Sequence, residues 1–458
     1  MRALRHLGRL LRLDARQLMR ERLSMVVLAI GTLCAAAGAW GGAIWIDRLE
    51  RERAAFLADA NEASNMLRGQ LTAPDLDEAT RVLLPTRVTR PVAFPVPTLA
   101  DFSIGRSDIE PATATLRMRH RADSMFRNYQ LDNAARLMRG RLDLAFVAVV
   151  IAPLLLIAVG FGVFSVDRER GTARLILSQA ASLLPLLLVR SLNRLLLVLL
   201  PLVLSALALL IIGPDLPGRG VAAACWLGVA ALGLGFWWAV ILWVNSLRVG
   251  AESAAMALVG LWAMLVFVAP ATINAGAQAL HPSPSRLTQI VAARAAETSA
   301  TQAYENDHAA LAGDSPVALR EVVRKNYRIG LAVDRRVAPG VEAFDRQFAL
   351  QQATVERAHW LSPPMIVGGA LAAIAGTDAR TYAVQRREAI VRLAAFKRVL
   401  RGPVEQKIVF DAALDAQLPA FVANAPTRFP PRGVGWVLFV SLLCVAVAVH
   451  RFRRTVLA

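Results

Sequence analysis

The sequence contains few of the residues that carry out catalysis or cross-link small domains. Its three cysteines, Cys34, Cys225 and Cys444, all lie in apolar stretches, which excludes a disulfide framework and predicts buried thiols. None of its three lysines follows a glycine, which excludes the phosphate-binding loop of ATPases. The His-Glu-x-x-His and Gly-x-Ser-x-Gly signatures are also missing. We therefore expect neither ATP hydrolysis nor another catalytic site in this chain.

Metal ligands are equally sparse. Met118, His120 and Met125 form a candidate set of soft-metal ligands. Methionines that lie by chance on a surface helix explain the same residues better, so we predict no metal site.

The composition combines many apolar residues with an excess of positive charge. Hydrophobic residues make up 56% of the 458 residues, the mean hydropathy is +0.46 and the formal net charge is +18. Disorder requires low hydrophobicity, and an average globular enzyme has a lower apolar content. Because the charges lie in blocks separate from the apolar runs, the composition indicates a polytopic membrane protein.

Six charge-free stretches meet or approach the length of about 20 residues that a helix needs to cross a bilayer. They predict an all-α polytopic membrane protein with six transmembrane helices, at residues 25–46, 142–166, 190–213, 221–244, 254–280 and 433–450. The apolar run of the first span has 22 residues. Signal-peptide cores have about 7–15, so we expect a retained anchor rather than a cleaved signal peptide.

Arginine-rich segments indicate which side of the membrane is cytoplasmic. Residues 1–24, 167–189 and 451–458 are rich in arginine and fall on one side if the chain crosses six times. We expect a multi-pass protein of the bacterial inner (plasma) membrane with both termini in the cytoplasm. Leucines alternate with arginines in residues 1–24, which predicts an amphipathic leader helix lying on membrane lipid. A solvated basic flank is the alternative interpretation.

Two long polar segments, 47–141 and 281–432, are then extracytoplasmic and mainly helical. The first has 15 basic and 13 acidic residues and the second has 20 and 14, without a compact basic patch. No nucleic-acid partner is therefore expected. Helices are predicted at 47–67, 287–311 and 341–359, an extended stretch at 85–97, and breaks at Pro316, Pro339 and Pro363. The apolar residues 365–376 are too few to span, which predicts a buried or interfacial helix.

The loop 167–189 holds the most informative motif, which consists of Arg168, Glu169, Arg170, Gly171, Thr172 and Arg174. Gly171 permits a sharp turn and Thr172 is a good helix N-cap, although an ordinary interfacial loop explains these residues equally well. The segment resembles the loop between the second and third spans of ABC-2-class permeases of ATP-binding-cassette transporters. There, Glu-Arg-Gly-Thr precedes a leucine-rich helix. The resemblance implies that residues 168–174 form the loop that binds and couples to an ATPase subunit.

A second motif lies in the polar segment before the last span. It resembles a subgroup of ABC-2-class permeases with a large insert at this place, some of them grouped with multicopper-enzyme maturation permeases. Its residues are Trp360, Ser362, Pro363, Gly376, Thr377, Asp378 and Tyr382.

The two resemblances imply a permease subunit, expected to be an exporter. It would pair with a second copy or a related permease and with two copies of a separate ABC ATPase. ATP and Mg²⁺ would be bound by that ATPase, and this chain would hold no cofactor. A non-transporting subunit for envelope assembly or signalling is the alternative. A membrane-anchored external enzyme is a third interpretation, but the sequence shows no catalytic constellation for it.

Overall fold

A computed structural model of the chain describes residues 2–73, 75–121, 125–126, 142–169, 171, 184–247, 249–308, 315–406, 408–422 and 427–455. These residues form an apolar helix bundle with a polar domain at one end. In chain order the elements are α1 (Arg2–Leu18), α2 (Arg22–Thr72), α3 (Glu78–Arg87), β1 (Thr89–Ala93), β2 (Thr113–Arg117), α4 (Leu144–Gly160), α5 (Ser165–Glu169), α6 (Leu184–Ile212), α7 (Arg219–Asn245), α8 (Ala251–Leu280), α9 (Arg286–Asp307), α10 (Pro316–Ala358), α11 (Pro363–Ala375), α12 (Ala379–Glu405), α13 (Ala412–Gln417) and α14 (Pro431–Thr455).

Five of the described helices, α2, α6, α7, α8 and α14, are long and apolar enough to cross a membrane. They coincide with five of the predicted spans because an uninterrupted apolar run favours a helix wherever lipid or other helices cover it. The predicted span 142–166 differs. It contains the shorter α4, about 25 Å long at 1.5 Å per residue, which ends in a turn at residues 161–164. The chain is thus a helical protein with five candidate membrane-spanning helices.

The first long helix does not stop where its apolar run ends. α2 continues without a break from Arg22 to Thr72, so the predicted span 25–46 and the predicted charged helix 47–67 are one element. Charged residues do not interrupt a helix, and salt bridges at i,i+4 spacing, such as Arg48–Glu52, follow the apolar part. α2 therefore connects the bundle rigidly to the polar domain.

The polar domain combines both polar segments around one hydrophobic core. Leu84, Val92 and Leu116 from the first segment are buried with Leu393 and Phe396 from the second. β1 and β2 pair antiparallel, with Thr89 opposite Arg117 and Ala93 opposite Thr113. This small sheet and α3 occupy much of the stretch that was predicted to be extended. The two segments therefore form one structural unit.

Prolines affect the second polar segment less than predicted. Pro316 begins α10, where the Ser315 hydroxyl oxygen accepts a hydrogen bond from Ala318 N at 3.2 Å. The break predicted at Pro339 is wrong, because α10 continues through it to Ala358. A proline removes one helical hydrogen bond, and packing of this part of α10 on α9, through Val333 and Val337, maintains the helix.

The bundle core is centred on α7 and includes the short helix α11. Trp226 and Trp237 of α7 are fully buried, and Val367 and Leu371 of α11 belong to the same cluster. The prediction of a buried helix near residues 365–376 is thus matched by a helix inside the bundle core. Gly233 permits this contact, because a Cβ atom there would lie 2.9 Å from Val367 Cγ1.

The two ends of the bundle differ in what covers them. At one end, which we call the leader end, Asn193 Nδ2 donates to Leu11 O of α1 at 3.0 Å, and Phe452 of α14 packs on Phe164. Segments near both termini therefore lie together. At the opposite, domain end, residue 101 crosses α2 so closely that a Cβ on Gly42 would lie 1.8 Å from Asp101 O.

Candidate functional site

The described part of the predicted coupling loop is bonded to the start of α8. Arg168 Nη2 donates to Val249 O at 2.6 Å, and Glu169 Oε1 accepts from Ala251 N at 2.8 Å. Gly171 has a φ of 74°, in the left-handed region that favours glycine. Arg170, Thr172 and Arg174 lie outside the described residues. The end of α5 is thus joined to the start of α8 and to the residue Val249 that precedes it.

The sequence around residue 250 explains why α8 accepts a cap from elsewhere. The N-cap residue is Gly250, which has no side chain to bond the free N–H groups of the first turn. The Glu169 carboxylate supplies that acceptor, and its negative charge also interacts favourably with the positive end of the helix dipole. Glu169 is exposed, so a protein bound at the leader end can reach it. Motif reasoning selected Glu169 but gave no indication of this partner, 82 residues away.

The middle of α8 contains a second connection, built on a π-helical turn at Met264–Val268. Ala269 N bonds Met264 O, five residues back, and residue 270 is a proline without an N–H. Leu265 O therefore has no helical N–H donor, because the N–H of residue 269 is already bonded and residue 270 has none. An unpaired buried carbonyl is unfavourable, and Ser362 resolves it by donating its hydroxyl to Leu265 O at 2.7 Å.

Ser362 also begins α11. Its hydroxyl oxygen accepts from Met365 N, and Pro363 occupies the first helical position, where the missing N–H is not needed. Ser362 is fully buried. One side chain therefore connects the N-terminus of α11 to the middle of α8, whose own N-terminus is capped by the predicted coupling loop.

Trp360 lies beside this connection and contacts the last helix. Its ring packs edge-on against Trp436 of α14 with centroids 5.8 Å apart, and Trp436 Nε1 donates to Trp360 O at 3.1 Å. The N-terminal end of α11 thus touches both α8 and α14.

The remaining motif residues surround the other end of α11. Gly376 has a φ of 79° and ends the helix, and Thr377 N then bonds back to Ala372 O. Thr377 O accepts from Arg106 N at 3.0 Å, which ties this turn to the first polar segment. Asp378, the N-cap of α12, accepts a hydrogen bond from the Thr381 hydroxyl.

Tyr382 lies one turn into α12 and is buried. Burial raises the pKa of its hydroxyl, which hydrogen-bonds Ser107. Ser107 Oγ in turn accepts from Trp45 Nε1 of α2 at 2.7 Å. The second motif therefore lies at both ends of α11 and joins the bundle to the polar domain.

The candidate metal ligands have structural roles. Met118 and Met125 are buried in the core of the polar domain, rather than on a surface helix as the sequence suggested. His120 Nδ1 lies 2.7 Å from Thr115 O. Within the described ranges, no three His, Cys, Asp or Glu side chains are placed to hold a metal ion.

Comparison with known proteins connects the second motif to a family. Residues 286–422 match a protein family described as a domain of unknown function, DUF3526. The match covers less than a third of the chain and includes all seven residues of the second motif. No curated protein matches the chain.

Proposed function

We propose that this chain is the membrane-spanning permease subunit of an ATP-binding-cassette transporter of the ABC-2 class, driven by a separate ATPase. The observation that carries the proposal is the bond between Glu169 and the start of α8. It joins Glu169, the first residue of the Glu-Arg-Gly-Thr motif, to the start of α8, and the middle of that helix accepts a hydrogen bond from Ser362. Movement of the loop by an ATPase would displace α8 and then α11.

The proposed protein lies in the inner membrane and crosses it six times. The crossings are the five long helices and α4, which is the second crossing in chain order. α4 begins at the domain end, where Asp143 accepts from Ile104 N, and leads into α5, where Glu169 meets α8. Six crossings agree with the positions of α1 and the end of α14, which lie at the same end of the bundle. The arginine-rich segments make that end cytoplasmic. An exporter that functions as a dimer of permeases with two ATPases remains part of this proposal.

Charge reversal at the coupling loop tests the assignment. Glu169→Arg places a cation at the positive end of α8, and Gly171→Pro forbids the left-handed turn, so each should weaken association with the ATPase. The chain is purified from its native membranes, and an ATPase with a phosphate-binding loop is quantified in the eluate. Glu252→Gln, an exposed change in the first turn of the same helix, is the matched control. Unchanged association in both loop variants contradicts the proposal.

The continuous helix α2 favours a second candidate, a non-transporting subunit whose polar domain acts on an envelope protein. Motion of the bundle would reach the domain directly through α2. A reconstituted complex that hydrolyses ATP, moves no substrate and binds an envelope protein in an ATP-dependent way would support this candidate over transport.

A further inference from the structure

The groove between the leader helix α1 and α6 has the chemistry of a lipid site. It is an open groove with a volume of about 380 Å³, lined almost entirely by apolar side chains. Small-molecule sites typically have volumes of about 300–1,000 Å³. Its lining residues on this side are Ala15 and Leu18 of α1 and Met19, the residue that follows α1. Those from α6 include Leu196 and Leu200, which are each about half exposed.

The groove is a fixed part of the fold because polar contacts hold α1 on α6. Asn193 Nδ2 donates to Leu11 O at 3.0 Å and to Asp14 Oδ2 at 2.7 Å. Arg190 Nε lies 3.7 Å from Asp14 Oδ1. These contacts all lie on one side of α1 and attach the leader helix to α6.

The opposite rim of the groove is basic. Arg12 and Arg16 are exposed, and neither has an ion-pair partner within the part of the chain that the structure describes. Arg12 lies three residues before Ala15, and Arg16 lies three before Met19. Met19 N still bonds Ala15 O at 3.0 Å, as in the helix. Each arginine therefore lies on the same face as a side chain that lines the groove.

We propose that this groove binds one anionic phospholipid, with an acyl chain between α1 and α6 and the phosphate beside Arg12 and Arg16. The apolar lining lies next to a membrane-spanning helix and so opens toward acyl chains. The Asp14 carboxylate is already paired with Asn193 and Arg190. The exposed charges on the opposite rim, Arg12 and Arg16, are both positive, which favours an anionic over a zwitterionic headgroup. The proposal does not depend on transport.

Native mass spectrometry of the full-length protein tests the site, with phosphatidylglycerol and phosphatidylcholine of identical acyl chains as probes. We expect the protein to retain phosphatidylglycerol preferentially. The double variant Arg12→Gln with Arg16→Gln should lose the preference for phosphatidylglycerol. Each arginine is expected to contribute roughly a fivefold difference in retention between the two lipids. Ala15→Phe, which fills the groove, should reduce retention of both lipids.

Arg451→Gln with Arg453→Gln is the matched control. These exposed arginines lie at the same end of the bundle, and their substitution removes the same amount of positive charge. Equal retention of the two lipids by the wild type would show ordinary contact with bulk lipid and overturn the proposal. An equal loss of preference in the control would assign the effect to net charge and also overturn it. Because Arg12 and Arg16 are exposed, their variant tests the site even if Ala15→Phe fails to fold.

Discussion

At Ser362 a single hydroxyl group pairs two backbone groups that their own helices leave free. It donates to Leu265 O in the π turn of α8 and accepts from Met365 N in the first turn of α11. A buried carbonyl without a partner costs about 1–3 kcal/mol. The residue is therefore a point at which α8 and α11 are held together by specific bonds as well as by apolar packing.

Replacement of this hydroxyl should destabilise the protein measurably. Ser362→Ala leaves Leu265 O unpaired and is expected to lower the free energy of unfolding by about 1–3 kcal/mol, with a corresponding fall in Tm in detergent. Ser362→Thr, which keeps a hydroxyl, should lose less. Ser441→Ala is the control, because the Ser441 hydroxyl bonds Val437 O within its own helix. Equal losses in the alanine variants at 362 and 441 would contradict the assigned role.

Short sequence motifs contain Glu169 and Ser362 but could not reveal the hydrogen-bond partners of these residues. Glu169 and Ser362 were both identified from short local patterns. Their partners are 82 and 97 residues away, and each is a backbone group that carries no side-chain signature. Leu265 O, which lacks a helical donor because of the proline at 270, and Ser362 of the second motif are brought together only by the fold.

α11 shows how a short helix can become part of the bundle core. Two glycines on other helices permit its close approach. A Cβ on Gly233 would lie 2.9 Å from Val367 Cγ1, and one on Gly433 would lie 2.8 Å from Ile366 Cγ2. Its burial therefore depends on missing side chains in its neighbours as much as on its own apolar residues.

The effect of adding one methyl group tests this packing. Gly233→Ala is expected to push α11 from α7 and lower stability by about 1–3 kcal/mol, as overpacking does. Gly235→Ala on the same helix meets no atom within 4 Å and should be neutral or slightly stabilising. Thermal unfolding of both variants measures the difference. A destabilised Gly235→Ala with an unaffected Gly233→Ala would refute the proposed contact.

Element boundaries were predictable only where composition changes with structure. Apolar runs marked the five candidate membrane-spanning helices, since lipid and core both favour uninterrupted apolar surface. A helix was predicted at 47–67 but not its continuity with the apolar run of α2. The passage of α10 through Pro339 was not predictable, because packing on α9 maintains it. The end of α4 at Gly160, inside the apolar run, also had no compositional signal.

The polar domain is a product of the whole chain, since its two segments are separated in sequence by several bundle helices. Arg90 in β1 and Asp415 in α13 join them, with Arg90 Nη2 donating to Asp415 Oδ1 at 2.6 Å. The Asp415 side chain is 5% exposed and that of Arg90 is 13% exposed, so water screens this pair weakly. Neither segment would retain this part of the core alone.

Loss of the buried carboxylate should therefore loosen both segments together. Asp415→Ala removes the only carboxylate that Arg90 contacts among the described residues and is expected to cost about 3–5 kcal/mol. Arg68→Ala removes an exposed arginine 3.7 Å from the same carboxylate and should cost about 1 kcal/mol or less. Hydrogen exchange of residues 89–93 and 412–417 provides the measurement. Faster exchange confined to one of these ranges would show that the segments unfold independently.

The unbroken helix α2 also has a mechanical consequence. Its residues after 46 extend about 39 Å beyond the apolar run at 1.5 Å per residue. If the bundle part tilts by roughly 5°, a lever of this length moves its far end by about 3 Å, comparable to the length of a hydrogen bond. Small rearrangements among the bundle helices would then displace the contacts near Leu67 far enough to exchange one set of side-chain partners for another.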